Sequence, residues 1–312
     1  MRAVGVETYG GPEALEVVEL PDPEAGPGKI LLRVHAATVN PTDTYGRNGA
    51  RAEQQKRFDP PWVSGMDVAG VVEEIGPDVE TTLEVGDHAM AMVVPEGSYG
   101  GYSEKLALPA ASVVAVPSGT TDVEASTLPM NGLTARLALD LLALEPGATV
   151  AVTGAAGAFG GYAVQLAKAD GLRVIADASE ADEELVHALG ADVVVRRGDD
   201  VADRIREHAP DGVDAVIDGA VQNELLFPAV RDGGGFATVR GFDTDAPRDI
   251  TMHQVWVREY VHETEKLDRL RQLVEDGAVT LRVAQTFSPE EASEAHRLLE
   301  AGGVRGRLVI EF

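Results

Sequence analysis

One stretch near the middle of the 312-residue chain limits its possible folds more than any other. Residues 149–168 read TVAVTGAAGAFGGYAVQLAK. A short β-branched run suited to a buried parallel strand leads through small residues into a segment whose apolar positions recur at helical spacing. The stretch therefore predicts a strand, a tight turn and a helix in direct succession.

The turn in this stretch has the composition of a phosphate-binding loop. Residues without bulky side chains let the backbone approach a pyrophosphate, and the first amides of the next helix point at that anion. In the dinucleotide pattern G-x-G-x-x-G, Ala155 replaces the first glycine, and only Gly157 and Gly160 match. The turn predicts a dinucleotide site, although a tight turn without a ligand could have the same composition.

The pattern of the chain changes at about residue 123. Before it, short strands alternate with turns rich in glycine and proline, as in a compact barrel-like domain. After it, strands and helices alternate, as in a parallel sheet covered on both faces. We predict strands of this sheet at residues 149–153, 173–178, 193–195, 213–217, 236–239 and 250–257.

Three further local predictions follow from the residue pattern. Arg307–Phe312 reads as a strand that rejoins the first domain. Gly46–Pro61 is polar and ends on two prolines, so we expect a mobile loop beside a cleft. Two segments with the spacing of a capping box, at residues 179–182 and 288–291, predict helix starts.

Composition excludes several classes of function. The net charge of −26 opposes binding to nucleic acids and anionic membranes, so we expect neither as a partner. No apolar run approaches the roughly 20 residues that span a bilayer, and the amino terminus lacks a signal-peptide core. We therefore expect a cytoplasmic protein. The acidic excess indicates a halophilic source, because high salt screens the self-repulsion.

The chain contains no cysteine and seven histidines. The absence of cysteine excludes disulfides, thiolate nucleophiles and sites where cysteine ligates zinc or iron–sulfur clusters. No histidine shows a partner set in the sequence. We therefore assign surface or packing roles to His35 and His88, which lie in β-like segments, and predict no metal ligand.

Several ordered motifs resemble one enzyme family along nearly the whole chain. They are AATVNPTDTYGRNG at 36–49, SGMDVAGVVE at 64–73, GD at 86–87, GGYSE at 100–104 and LTA at 133–135. They resemble the medium-chain dehydrogenase/reductase superfamily, specifically its zinc-independent quinone oxidoreductase branch. The resemblance implies an α/β homodimer with a mostly β, GroES-like barrel catalytic domain (1–122), a doubly wound Rossmann domain (123–265) and a return segment (266–312).

The resemblance also implies a reaction without zinc. Zinc enzymes of the superfamily carry Cys, His and Cys at positions that correspond here to Asn40, Met66 and Met130. Methionine and a neutral amide do not replace thiolate and imidazole ligands of a catalytic Zn²⁺. We expect hydride transfer from NAD(P)H to a quinone or another α,β-unsaturated carbonyl. Alternatives are an enoyl or enone reductase for a larger acyl substrate, and a low-turnover NADPH-binding redox sensor.

By resemblance, Asn40 and Tyr45 lie beside the nicotinamide ribose and the acceptor, with Tyr45 as hydrogen-bond donor or proton source. The residues alone allow other roles. Asn40 could cap a turn before Pro41, Tyr45 could be half-buried packing, and Asp43 could cap the next helix, which is the role we favour for it.

The cofactor is the harder choice. Ser179 and Arg196 suit the 2′-phosphate of NADPH, whereas Asp177 suits the ribose hydroxyls of NADH and Glu183 opposes a phosphate. We favour NADPH and keep NADH as the alternative. By resemblance, Ala155 is normal for this branch, and Phe159 either shifts the pyrophosphate or packs beneath it. The full set of implied cofactor contacts is Asn40, Tyr45, Thr134, Ala155, Gly157, Ala158, Phe159, Gly160, Ser179, Arg196, Gly241 and Arg307.

Overall fold

The computed structural model describes all 312 residues. Its strands are β1 (Arg2–Val6), β2 (Glu16–Glu19), β3 (Lys29–Thr38), β4 (Trp62–Val63), β5 (Asp67–Ile75), β6 (His88–Met92), β7 (Lys105–Pro109), β8 (Val113–Ala115), β9 (Thr149–Thr153), β10 (Arg173–Ala178), β11 (Val193–Arg196), β12 (Val213–Asp218), β13 (Val230–Thr238), β14 (Thr251–Gln254), β15 (Val283–Phe287) and β16 (Arg307–Glu311).

The α-helices are α1 (Pro41–Arg47), α2 (Ala52–Gln55), α3 (Asp122–Ala125), α4 (Pro129–Leu142), α5 (Ala158–Ala169), α6 (Glu183–Ala188), α7 (Val201–His208), α8 (Thr264–Glu275) and α9 (Ala292–Ala301). Short 3-10 helices cover Pro12–Ala14, Ala110–Ser112, Glu180–Asp182, Asn223–Ala229, Val257–Tyr260 and Pro289–Glu291. None of the helices has the length and apolar character needed to cross a bilayer.

The chain folds into two compact units. Unit 1 contains residues 1–130, 258–275 and 281–312, and unit 2 contains residues 131–257 and 276–280. The boundaries predicted from the sequence lay after residues 122 and 265. Unit 1 extends past the first of these because α3 packs on β3, β5 and β6, and it includes α8 because α8 packs on β8.

Unit 2 contains the parallel sheet predicted from the alternating pattern. Its six strands are all parallel, in the order β11-β10-β9-β12-β13-β14. The chain moves outward in one direction from β9 and then returns to start again at β12, which makes a doubly wound sheet. Ligands of such sheets bind at the carboxyl ends of the strands where the order reverses. Here that point lies between Thr153 and Asp218, which are paired in the ladder.

Unit 1 contains the predicted mostly β domain. A seven-stranded sheet has the order β15-β16-β3-β5-β6-β8, with β7 also paired to β3, and a three-stranded sheet has the order β2-β1-β4. The predicted return strand is confirmed, because β16 pairs antiparallel with β3. Apolar side chains from these strands form one core, with Ile30, Leu32, Leu106 and Leu108 almost completely buried.

Some local predictions were wrong. The expected loop at Gly46–Pro61 contains α2, whose Ala-Glu-Gln-Gln sequence has high helix propensity. β13 begins at Val230, before its glycine-rich segment, instead of at Phe236. β14 stops at Gln254 because a 3-10 helix follows at Val257–Tyr260. The capping box at Ser288 is confirmed. The one at Ser179 is not, since its hydroxyl donates to Asp182 and caps no backbone amide.

Candidate functional site

The turn between β9 and α5 has the geometry of an anion site. Gly157 is the N-cap of α5 with an extended backbone, and no side chain caps the first turn of this 12-residue helix. The first amides of a helix carry partial positive charge and favour an anion in front of them. The turn lies where the strand order reverses, so the arrangement fits a dinucleotide pyrophosphate.

Glycines make this turn tight. A Cβ on Gly160 would lie 2.3 Å from the carbonyl oxygen of Gly154, and one on Gly157 would lie 3.1 Å from the same atom. Gly154 has φ of +67°, which a side chain would strain. Phe159 packs over the backbone at the end of β12, since a Cβ on Gly219 would lie 3.0 Å from its ring. The Phe159 ring therefore contacts the backbone at Gly219.

Two buried carboxylates accept hydrogen bonds from residues of the turn between β9 and α5. Asp177, only 5% exposed, accepts the Ala155 amide at 3.2 Å. Burial raises the pKa of Asp177, although the amides of Ala155 and Gly154 oppose that shift. Asp218 accepts the Thr153 hydroxyl at 2.8 Å. Asp177 therefore organises the turn through its bond to the Ala155 amide.

Ser179 and Arg196 come together at the adjacent carboxyl ends of β10 and β11. Ala178 is paired with Arg196 in the parallel ladder, which places Ser179 beside it. The Arg196 guanidinium is half-exposed and pairs with Glu180 at 3.2 Å. The Arg196 guanidinium is thus available at the predicted 2′-phosphate position, although in this structure it forms an ion pair with Glu180.

The other predicted contacts in unit 2 lie on separate elements. Gly241 follows β13 with φ of +69°, and a Cβ on it would lie 3.4 Å from the ring of Trp256. Thr134 is buried on α4. Ala158 is the first residue of α5, so it belongs to the turn.

In unit 1, Asn40 lies at the centre of a buried polar cluster. Its amide nitrogen donates to Asp67 at 2.8 Å, and its amide oxygen accepts from Arg307. Asp67 also accepts the Met130 backbone N–H at 2.5 Å. Burial raises the pKa of Asp67 and the Arg307 guanidinium opposes this shift. β16 therefore directs Arg307 inward, where it neutralises Asp67.

The three positions that would carry zinc ligands surround this cluster. Asn40 is bonded to Asp67 and Arg307, Met130 contributes its backbone N–H, and the Met66 sulfur accepts the Thr42 hydroxyl at 3.2 Å. These donors are poor ligands for Zn²⁺, and a guanidinium already supplies the positive charge next to Asp67.

Tyr45 is half-buried on α1, between two residues of a buried hydrogen-bond chain. Asp43 accepts the Asn40 backbone N–H at 2.8 Å, which confirms that it caps α1. Tyr102 donates to Asp43 at 2.9 Å, His296 contacts Tyr102 at 3.2 Å, and Arg47 contacts His296 at 3.2 Å. Burial raises the pKa of Asp43 to about 6. The sequence analysis gave no role to Tyr102, although it lies in the GGYSE motif, and it missed His296, which no motif marks.

An open cleft with a volume of about 70 Å³ lies beside α1 in unit 1. Its lining includes Thr42, Asp43, Arg51, Phe58 and Arg258. Burial lowers the pKa of Arg51, and the positive charge of Arg258 lowers it further. The cleft is small, and its three arginines (Arg51, Arg57 and Arg258) outnumber its two acidic residues (Asp43 and Glu96), although the chain as a whole is strongly acidic.

The structure brings together two histidines that the sequence analysis treated separately. His35, His88 and Asp122 converge in unit 1, with ligand atoms within 4.8 Å of one another. They come from three separate segments, so no local spacing marks them in the sequence.

Known proteins resemble the chain along its full length. Residues 26–118 match the family described as alcohol dehydrogenase GroES-like domain, and residues 189–310 match the family described as zinc-binding dehydrogenase. A chloroplastic quinone-oxidoreductase of Triphysaria versicolor is 31% identical, over 100% of this chain and 98% of its own. An alcohol dehydrogenase of Geobacillus stearothermophilus is 30% identical, over 100% and 99%.

Two further similarities concern the acceptor and the cofactor. The 2-methylene-furan-3-one reductase of Solanum lycopersicum is 29% identical, over 99% of this chain and 79% of its own. A mycobacterial protein solved in complex with NADPH has a TM-score of 0.87 and 29% identity, over 100% of both chains.

Proposed function

The chain belongs to the medium-chain dehydrogenase/reductase superfamily, and on that premise we propose that it transfers a hydride from NAD(P)H to a quinone or another α,β-unsaturated carbonyl without catalytic zinc. The observation that carries the proposal is the buried Asn40–Asp67–Arg307 cluster, in which a guanidinium bonds to Asn40, the residue that by resemblance corresponds to a zinc ligand of the zinc enzymes. Alcohol oxidation without a metal to stabilise the alkoxide is the harder reaction, and reduction of an electron-poor acceptor is the easier one.

The turn between β9 and α5 supports binding of the dinucleotide. Uncapped amides of α5 would hold the pyrophosphate, and Gly157 and Gly160 leave room for its close approach. The bound nicotinamide would supply the hydride. The cleft beside α1 would hold the acceptor, with Tyr45 donating a hydrogen bond to the oxygen that gains negative charge. Asn40, whose amide group is bonded to Asp67 and Arg307, would lie beside the nicotinamide ribose.

We test this assignment with Tyr45→Phe and Asn40→Ala. If a donated hydrogen bond stabilises the developing charge, loss of one donor lowers kcat by about 100-fold, as for other oxyanion donors. The assay follows NADPH oxidation with a panel of quinones and enones. The matched control is Tyr99→Phe, since Tyr99 packs against the hydrophobic core of unit 1 and does not line the cleft. Unchanged turnover in both site variants would reject the assigned residues.

We propose NADPH as the preferred cofactor. Its 2′-phosphate would displace Glu180 from Arg196 and gain a bidentate charged contact. Arg196→Gln is then expected to weaken NADPH binding by about tenfold or more and leave NADH binding nearly unchanged. Arg231→Gln, at the amino end of β13, is the control because Arg231 pairs with Asp214. Equal losses for both cofactors would reject Arg196 as the contact to the 2′-phosphate.

The tomato relative favours a second candidate, an enone or enoyl reductase for a larger acceptor. The arginines of the cleft, Arg51 and Arg258, would suit an acceptor that carries an anionic group. Turnover of a carboxylated enone compared with its neutral ester distinguishes this candidate from a simple quinone reductase. A redox-sensing protein would instead bind NADPH without oxidising it across the whole panel.

We also propose a cytoplasmic homodimer that forms through β14. This strand lies at the edge of the six-stranded sheet, and Trp256 beside it is 55% exposed. Unpaired edge strands and exposed aromatic residues favour association between copies. Light scattering in molar KCl tests this proposal, with Trp256→Lys expected to give monomers. A wild-type monomer at all concentrations would contradict it.

A further inference from the structure

Three side chains with metal-binding chemistry meet in unit 1, apart from the sites described above. His35 lies on β3, His88 begins β6, and Asp122 is the first residue of α3. The His35 Nδ1 atom lies 2.7 Å from Asp122 Oδ2, and His88 Nδ1 lies 2.8 Å from Asp122 Oδ1. All three ligand atoms lie within 4.8 Å of one another.

The fold fixes this arrangement through strand register and a bulge. β5 lies between β3 and β6, with Val71 paired to His88. The β3–β5 register shifts between Val34 and Ala36, so His35 is the extra residue of the bulge. The bulge requires Gly70, because a Cβ there would lie 2.0 Å from the Arg33 carbonyl oxygen and 2.9 Å from the His35 nitrogen.

The third ligand comes from a well-defined helix start. Thr121 and Glu124 form a capping box, so the backbone of Asp122 is fixed by bonds that do not use its side chain. The Asp122 carboxylate is 9% exposed, whereas the His88 ring is 55% exposed. The carboxylate is therefore held inside, and one side of the cluster is open to solvent.

We propose that His35, His88 and Asp122 form a binding site for a divalent transition-metal ion, with Zn²⁺ as its typical occupant. Two imidazoles and one carboxylate are a common zinc set, and imidazole discriminates against Mg²⁺ and Ca²⁺. Ligands about 2.0–2.1 Å from a tetrahedral Zn²⁺ lie roughly 3.3 Å apart. When the ion binds, the nitrogen–oxygen distance in each imidazole–carboxylate pair would therefore increase by roughly half an ångström. Water would complete the coordination on the exposed side.

The ion would act as a structural cross-link. It would tie the start of α3 to two strands of the sheet, while Ser126 at the other end of α3 bonds to Thr38. An ion that binds only the folded chain stabilises it by mass action. This site does not rest on the proposed hydride transfer, since it uses none of the residues assigned to that reaction.

The experiment uses the chelator-treated full-length protein in molar KCl with excess Mg²⁺, which occupies nonspecific acidic sites. Zn²⁺ is titrated by calorimetry, and Co²⁺ by its visible absorption. We expect one ion per chain and a rise in melting temperature on the order of 5 °C at saturating Zn²⁺. His88→Gln and Asp122→Asn are expected to weaken Zn²⁺ binding by more than the 10–100-fold that loss of an outer-shell partner costs.

The matched control is His187→Gln, because His187 is exposed on α6 in unit 2 and should not affect Zn²⁺ binding. His88→Gln should fold and bind NADPH like wild type, which separates this site from the proposed reaction. If the wild type binds Zn²⁺ no more tightly than His88→Gln and Asp122→Asn do, the cluster is only a hydrogen-bonded triad and the proposal fails. Absence of Zn²⁺ binding above background overturns it equally.

Discussion

At the scale of single residues, Arg47 sets the donor and acceptor roles in the buried hydrogen-bond chain that links Arg47, His296, Tyr102 and Asp43. A guanidinium can only donate, so the Nδ1 atom of His296 must accept from Arg47. The neutral ring then carries its proton on Nε2 and donates it to the Tyr102 oxygen, and Tyr102 donates to Asp43. Burial and Arg47 lower the pKa of His296 to about 3. The chain fixes both ends of α1, which carries Tyr45.

Tyr102→Phe breaks this chain at its centre. It removes one of the three donors to the buried Asp43 carboxyl, whose backbone donors Asn40 and Gly65 remain, and it leaves the His296 Nε2–H without an acceptor. We expect a loss of about 1–3 kcal/mol in the free energy of unfolding and a lower kcat, because α1 is no longer held. Denaturant unfolding and the quinone assay measure the two effects. Tyr99→Phe is the control, and an equal loss there would show that the chain is not responsible.

His296 also predicts a pH dependence of stability. Between pH of about 3 and 6.5 the unfolded chain binds a proton at His296 that the folded chain does not, so this residue lowers the free energy of unfolding as the pH falls. Asp43 acts in the opposite sense, since its pKa is raised to about 6 and the folded chain holds that proton.

The difference between wild type and His296→Gln isolates this contribution. In urea unfolding at fixed KCl, wild type should lose more stability than the variant between pH 6.5 and 4.5. His208→Gln, which removes an exposed histidine, should behave like wild type. Parallel curves for wild type and His296→Gln would show that His296 does not resist protonation.

At the scale of elements, the turn between β9 and α5 depends on Gly160. A methyl group there would lie 2.3 Å from the Gly154 oxygen, so Gly160→Ala must move the start of α5 away from the turn. We expect NADPH affinity to fall by about tenfold or more, because the amides lose their alignment. Fluorescence titration of NADPH measures this. Gly26→Ala is the control, since nothing lies within 4 Å of a Cβ there. An unchanged NADPH affinity of Gly160→Ala would contradict the assignment of the turn between β9 and α5 as the pyrophosphate site.

Element prediction succeeded where local chemistry decides the structure. β9 and β10 have the predicted ends because their β-branched runs are bounded by glycine and turn residues. It failed where tertiary pairing decides, as for β13, which begins before its three glycines because it pairs with β12 there. The sites show the same division. The turn at Gly157 is local, whereas His35, His88 and Asp122 meet only through strand register and a bulge.

At the scale of the whole molecule, the net charge of −26 makes stability depend on salt. Raising KCl from about 0.1 M to about 1 M shortens the Debye length from about 10 Å to about 3 Å and screens the repulsion between acidic side chains. We expect the melting temperature to rise by several degrees, as for a protein adapted to salt. NaCl of equal ionic strength should act alike. A melting temperature independent of KCl would contradict the halophilic interpretation.

The insertion of unit 2 into unit 1 sets an order of completion during synthesis. The six-stranded sheet has all its strands once residue 254 has left the ribosome, because β14 is its last strand. The seven-stranded sheet must wait for β16, which lies between β15 and β3. Until then the amino-terminal strands expose an unfilled sheet edge at β3, and such edges are prone to pair with other chains. The first part of the chain to be made is thus the last to be finished, and a growing chain is most vulnerable to aggregation during that interval.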